Sequence, residues 1–129
     1  MNQVIIVDDD KAVGDVIARN IVAKNLATES DIRVFPSSSE AWKHISQLTE
    51  KPRIVFSSVD IDASAQGQMN GFDLLTATKE KFPDVIFVSM SGDPGYDEEA
   101  RRRGADHFLA KPFSPEDLER IFAENIPKK

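Results

Sequence analysis

Three carboxylates in a row, Asp8, Asp9 and Asp10, close the apolar run Val4-Ile5-Ile6-Val7, and far downstream His107-Phe108-Leu109-Ala110 ends on Lys111-Pro112. Acids and a lysine at the ends of short apolar runs are the parts of one shared site. A third run, Ile54-Val55-Phe56-Ser57, is followed by Ser58, a hydroxyl where such a site would best use a carboxylate. That residue decides whether covalent chemistry is open to the chain. A carboxylate is already ionised at neutral pH, whereas a serine hydroxyl needs an adjacent base, and neither His44 nor His107 lies near this run in sequence. Ser91 places a second hydroxyl after the run that ends on Met90.

Short β-branched runs alternate with longer stretches of helical period, the pattern of a parallel sheet covered on both faces. Strands are predicted at Val4–Val7, Ile32–Phe35, Ile54–Ser57, Val85–Met90 and His107–Ala110. After the first, Ala12, Val13, Val16, Ile17, Ile21 and Val22 recur at helical spacing, with Asp10 as N-cap. Ser37 and Glu40 read as a capping box opening a second helix through Ala41, Trp42, Ile45 and Leu48, and Pro52 separates it from the third strand. Asn70-Gly71-Phe72-Asp73-Leu74-Leu75 opens a third helix. Ser114-Pro115-Glu116-Asp117-Leu118 supplies a cap, an N1 proline and first-turn acids to a last helix that should carry Leu118, Ile121 and Phe122 inward.

Between Ser91 and Lys111 only Tyr96 and Ala100 recur at helical spacing, and Pro94-Gly95 favour a turn, so the fourth helix should be short. Arg101-Arg102-Arg103 reads as its solvated, dipole-stabilised end. Five βα units with right-handed crossovers make an α/β fold with a doubly wound five-stranded sheet. Its ligands belong beyond the carboxyl ends of the strands, near the switch point. Asp8, Asp9, Ser58, Ser91 and Lys111 all fall there.

The 129 residues suit one domain, 1–129, with a single site. A net charge of -6 repels the nucleic-acid backbone and anionic membranes, so neither is an expected partner. The absence of cysteine removes disulfides, zinc-thiolate sites and thiol nucleophiles, and fits a reducing compartment. No apolar run is long enough to span a bilayer, so the chain is expected in the cytoplasm.

Over essentially its whole length the chain resembles the receiver domain of bacterial two-component response regulators. The matching pieces are Val7-Asp8-Asp9-Asp10, Pro52-Arg53-Ile54-Val55-Phe56-Ser57-Ser58, Met69-Asn70-Gly71-Phe72-Asp73-Leu74-Leu75, Ser89-Met90-Ser91-Gly92 and Gly104 through Phe113. The resemblance implies a flavodoxin-like strand order 2-1-3-4-5 and an interaction switch rather than an enzyme. The implied partners are a sensor histidine kinase or phosphotransfer protein and a downstream effector. It places Asp8 and Asp9 on a divalent metal, and clustered carboxylate oxygens suit Mg2+, which keeps several waters and takes one or two carboxylates. Ser91 and Lys111 become the groups that bind phosphoryl oxygens, Phe108 the aromatic whose rotamer reports the switched state, and Lys111-Pro112 a cis bond. Asp10 is assigned only to capping.

One position departs from that pattern. The phosphoacceptor falls on Ser58, so the usual aspartyl phosphate is not expected, and one metal ligand is lost with the carboxylate. A longer register would instead make Asp60 the acceptor, a shift that the long stretch from Val59 to Asn70 leaves room for. Otherwise Asp60 offers its backbone carbonyl to the metal. A magnesium-dependent phosphatase-like enzyme of the haloacid dehalogenase type is the rival suggested by Val59-Asp60-Ile61-Asp62, a strand-end serine and a lysine. Its nucleophile and metal acids come in the other order along the chain, and 129 residues leave no room for a substrate-covering cap.

Overall fold

A computed structural model describes residues 3–59 and 69–124 of the chain. Strands β1 (Val4–Val7), β2 (Ile32–Phe35), β3 (Ile54–Ser58), β4 (Ile86–Ser91) and β5 (His107–Ala110) form one parallel sheet in the order β2-β1-β3-β4-β5. The connecting helices are α1 (Lys11–Ala23), α2 (Ser38–Ile45), α3 (Gly71–Lys81), α4 (Asp97–Arg102) and α5 (Pro115–Glu124). The predicted fold class and strand order are those observed. Two strand ends differ by a residue or so: Ser58 and Ser91 are the last residues of β3 and β4 rather than the first beyond them.

The sheet is buried on both faces because alternate strand residues feed separate cores. Val4, Ile6, Ile54, Phe56, Val88 and Met90 pack with Ile17 and Ile21 of α1 and Leu118, Ile121 and Phe122 of α5. Ile5, Val7, Val55 and Phe87 pack on the other face with Ala41, Ile45, Leu74, Leu75 and Ala100. Val7 pairs with Ser57 and Ser57 with Ser89, so the carboxyl ends of the three central strands finish within two residues of one another.

The helix starts follow the capping chemistry. Asp10 Oδ1 accepts the Ala12 N–H at 3.0 Å, and Ser37 Oγ accepts the Glu40 N–H at 3.1 Å. Asn70 and Asp73 form a reciprocal capping box at the start of α3. Ser114 and Asp117 exchange the same pair of bonds at the start of α5, 2.9 Å and 3.2 Å long. The Ser114 backbone N–H holds the Asp117 carboxyl below its ordinary value of 3.8. A depressed folded value contributes stability above the unfolded pKa that is lost as pH falls through the folded one. The first turn of α5 should therefore loosen only in acid, below about pH 4. Amide exchange in that turn should show the acid step in the native chain, and Asp117→Asn should flatten it.

Helix α1 forms over the predicted period, and α2 is shorter than predicted. Val16 and Val22 are 45% and 37% exposed, and the buried residues of α1 are Gly14, Ile17 and Ile21. Each residue advances a helix by about 100°, so a valine adjacent to Ile17 or Ile21 is swung off the inward stripe. The second helix ends at Ile45, short of Leu48, whose N–H bonds back to Ile45 in a turn. The fourth helix is short as expected, six residues entered through a 3-10 turn at Pro94–Tyr96.

At the amino end of the sheet, Asp106 Oδ2 accepts Lys79 Nζ at 2.7 Å and the Phe87 N–H at 2.9 Å. Lys79 Nζ also donates to Val85 O at 2.6 Å, so α3, β4 and the start of β5 are clamped together.

Candidate functional site

The carboxyl ends of β1, β3 and β5 bring three side chains into direct contact. Asp8 follows β1 with its side chain only 1% exposed, and its Oδ2 accepts Lys111 Nζ at 2.9 Å. Its Oδ1 accepts the Asp10 N–H at 2.9 Å, so both carboxylate oxygens are engaged. Lys111 Nζ donates to Ser58 Oγ at 3.3 Å as well, making the ammonium a bridge from β1 to β3. The Lys111 backbone N–H donates to Ser91 O at 2.9 Å, and Lys111-Pro112 is cis.

Ser58 and Ser91 are both fully buried. Ser91 Oγ accepts the Asp93 N–H at 2.9 Å, which ties the last residue of β4 to the loop that leads into α4. Asp9 is exposed beside the buried Asp8, and Asp10 is spent on the α1 cap. Phe108 is half-buried, packs on the core beneath α2, α3 and α4, and lies opposite Ser89 in the β4–β5 pairing. The Ser89 hydroxyl beside it is buried with no hydrogen-bond partner among the described residues. Asp60 lies outside the described residues.

The donor set fits a hydrated hard cation. Asp8 and Asp9 are adjacent carboxylates, one buried and one open to solvent, and Mg2+ asks for one or two such oxygens beside its waters. Among the described residues no three His, Cys, Asp or Glu side chains converge on a cage. Asp8 Oδ2 already carries the Lys111 ammonium, so a cation reaching Asp8 competes with that lysine.

The same geometry sets the cost of losing the lysine. Lys111→Met strands a buried carboxylate whose remaining bond is the Asp10 N–H, and should lower unfolding stability by about 2 kcal/mol. Adding Asp8→Asn should return most of it, because a pair deleted together leaves no buried charge. Urea titrations of the single and double variants read the coupling directly.

Gly71 was not singled out as a site residue in the sequence, yet it shapes this end of the sheet. A Cβ there would lie 2.3 Å from Ser58 O and 2.7 Å from Val59 Cα, so only glycine lets the first turn of α3 rest against the end of β3. The one sequence hint is a poor helix former at the first helical position. Ser39 adds a tie from α2, its Oγ accepting the Met69 N–H at 3.0 Å.

With this geometry in hand, the chain can be set beside known proteins. The family model for the response regulator receiver domain matches residues 4–123. The chemotaxis protein CheY of Listeria monocytogenes is 30% identical over 104 residues, covering 78% of this chain and 83% of that protein. Response regulator Rre1 of Synechocystis is 28% identical over 123 residues, 91% of this chain and 48% of that protein, so the chain spans about half of Rre1. Among solved structures, the receiver domain of NtrX from Brucella abortus superposes with a TM-score of 0.80 at 24% identity, covering 95% of this chain and 97% of that one. At that identity the likeness speaks for the fold. No helix among the described residues is long and apolar enough to cross a membrane.

Proposed function

The chain belongs to the response regulator receiver domain family, and on that premise we propose that it is a two-component signalling switch whose phosphoacceptor position carries Ser58 instead of a carboxylate. The observation that carries the reading is the bridge of Lys111 Nζ between Asp8 Oδ2 and Ser58 Oγ. It joins the metal-binding acid, the acceptor position and the phosphate-binding lysine that the family pattern assigns to these strand ends.

Ser58 makes a poor nucleophile here. Its hydroxyl is buried and receives a hydrogen bond from Lys111 Nζ, and a serine attacks only when an adjacent base takes its proton. The acyl phosphate of an ordinary receiver needs a carboxylate oxygen to bond to phosphorus as the donor's leaving group departs, and this position offers none. Asp8 and Asp9 would hold Mg2+, which when bound supplies positive charge to phosphoryl oxygens. With the third carboxylate gone, the affinity for that ion is reduced. Lys111 and Ser91 remain able to bind an oxyanion, and Phe108 to register movement of the β4 end by packing alone. The expected partners are a sensor histidine kinase or phosphotransfer protein and a downstream effector, met in the cytoplasm, with signalling by contact rather than turnover.

Intact-protein mass after incubation with Mg2+ and a small acyl-phosphate donor tests this. No added phosphoryl group is expected. A gain mapped to Asp60 would move the acceptor two residues on and overturn the assignment of Ser58. Turnover of a generic phosphate ester, abolished by Asp60→Asn, would replace the switch with a phosphatase.

A further inference from the structure

We propose that Phe72, in the first turn of α3, is a positioning residue of the switch: Tyr96 and Arg103 clasp its ring from the two ends of α4, and the clasp couples that helix to the bridge of Asp8, Lys111 and Ser58. This deepens the switch reading and rests on it. The short helix has little else to hold it. Its buried residue is Ala100, and the rest, Asp97, Glu98, Glu99, Arg101 and Arg102, are charged. Tyr96, Ala100 and Arg103 fall at i, i+4 and i+7, so they share the face that turns toward the body. The Tyr96 ring meets Phe72 edge-on, with centroids 5.8 Å apart and planes at 68°, an arrangement that aromatic quadrupoles favour. The Arg103 guanidinium lies 4.9 Å from the centroid of the same ring and is held there by Glu99, 2.8 Å away.

Both ends of the clasp lead back to the site. On the α4 side, the Tyr96 N–H donates to Asp93 O at 3.2 Å and the Gly95 N–H to Asp93 Oδ1 at 2.9 Å, so the turn is one braced unit. The Asp93 N–H donates to Ser91 Oγ, and Ser91 O accepts the Lys111 N–H, which carries the unit to the lysine of the bridge. On the α3 side, Phe72 follows Gly71, which rests so close on Ser58 O that a Cβ would lie 2.3 Å from it. The contacts therefore close a ring that leaves Lys111 through Ser91 and Tyr96 and returns to it through Phe72 and Ser58.

A closed ring transmits in both directions, because a coupling free energy between two sites is reciprocal. Release of Lys111 from Asp8 frees the end of β5 to which Ser91 is bonded, and the braced turn carries that shift to Tyr96. The Tyr96 hydroxyl has no hydrogen-bond partner among the described residues, so the place of the ring depends on its edge contact with Phe72. Phe108 senses the same strand ends from within the core, whereas Phe72 converts their state into the placement of a surface helix.

NMR of the full chain provides the test, with 3-fluorotyrosine as the probe, because Tyr96 is the single tyrosine in the sequence. Asp8→Asn combined with Lys111→Met removes the bridge and should move the Tyr96 fluorine resonance by more than its linewidth. In the reverse direction, Phe72→Leu should shift the amide resonance of Asp10, whose N–H bonds to Asp8 Oδ1 beyond β1, two strands from β4. Phe72→Trp, which keeps an aromatic ring, should return that amide toward its native position. A helix merely propped by Phe72 would leave Asp10 unmoved. Circular dichroism should show the variants folded, since Phe72 is half-buried and both replacements are apolar. A Tyr96 resonance indifferent to loss of the bridge would overturn the proposal. So would an Asp10 amide indifferent to Phe72→Leu, or one that Phe72→Trp fails to restore. The intact-mass test of the switch does not involve Tyr96, so these failures leave that reading standing, and a phosphoryl gain on Asp60 would overturn that reading without moving the fluorine result.

Discussion

Replacing Ser58 by aspartate is expected to yield a chain that takes up one phosphoryl group from a small phosphodonor in the presence of Mg2+, where the native chain, on the function proposed above, takes up none. The rest of the constellation is in place: Lys111 Nζ lies 3.3 Å from Ser58 Oγ, Asp8 lies on the far side of that ammonium, and Ser91 ends the neighbouring strand. The substitution adds one carbonyl group's length and an ionised oxygen that attacks phosphorus without a base. It also adds a third carboxylate to the pair that would hold the metal, so Mg2+ affinity should rise about tenfold or more, scaled by the effect of altering a ligand shell. Mass spectrometry reads the phosphoryl gain, and a magnesium titration followed by NMR of the Asp9 and Asp10 amides reads the affinity. A folded Ser58→Asp protein that gains neither would remove Ser58 from the acceptor position.

Gly71→Ala should be among the most damaging single changes in the chain. The added carbon meets backbone on the other side, Ser58 O at 2.3 Å and Val59 Cα at 2.7 Å, and backbone cannot rotate away as a side-chain tip would. Either α3 lifts off the sheet, taking Leu74 and Leu75 out of a core where both are fully buried, or the end of β3 is displaced. The first route exposes two leucines and the second distorts the hydrogen bond from Val59 N–H to Met90 O, 2.8 Å long, that continues the sheet past Ser58. A loss of about 3–4 kcal/mol is expected, at the upper end of overpacking costs. By contrast, Gly92→Ala should be nearly silent, since a Cβ there meets nothing within 4 Å. Parallel urea titrations of the two alanine variants distinguish a steric requirement at Gly71 from a general intolerance of the site loops.

These two positions mark what can and cannot be seen in the chain before it folds. The strand ends were legible because β-branched runs stop abruptly at acids, serines or lysine, and a doubly wound sheet must bring such ends together. Val16 and Val22 were legible only as marks of a helix: apolar spacing does not say which of two apolar sides faces the core, and Ile17 and Ile21 take that place by packing beneath β1 and β3. Gly71 left only the hint of a poor helix former at a first helical position, because its constraint comes from Ser58 and Val59 across a tertiary contact, with no local turn or positive φ to mark it. The pairing of Lys111 with Asp8 was legible as chemistry, acid with base, but the choice of Asp8 over Asp9 follows from burial alone.

The clamp of Lys79, Asp106 and Phe87 at the amino end of the sheet bears on how the opposite end can respond. It pins β4 and β5 where they start, while their far ends are joined by the bond from Lys111 N–H to Ser91 O and carry the serine and lysine of the site. A pull on Lys111 therefore acts on the end of β5 farthest from that clamp and is shared with β4 through the pairing from His107 to Ala110. Phe108 and the turn ahead of α4 stand nearest to where such a pull is applied.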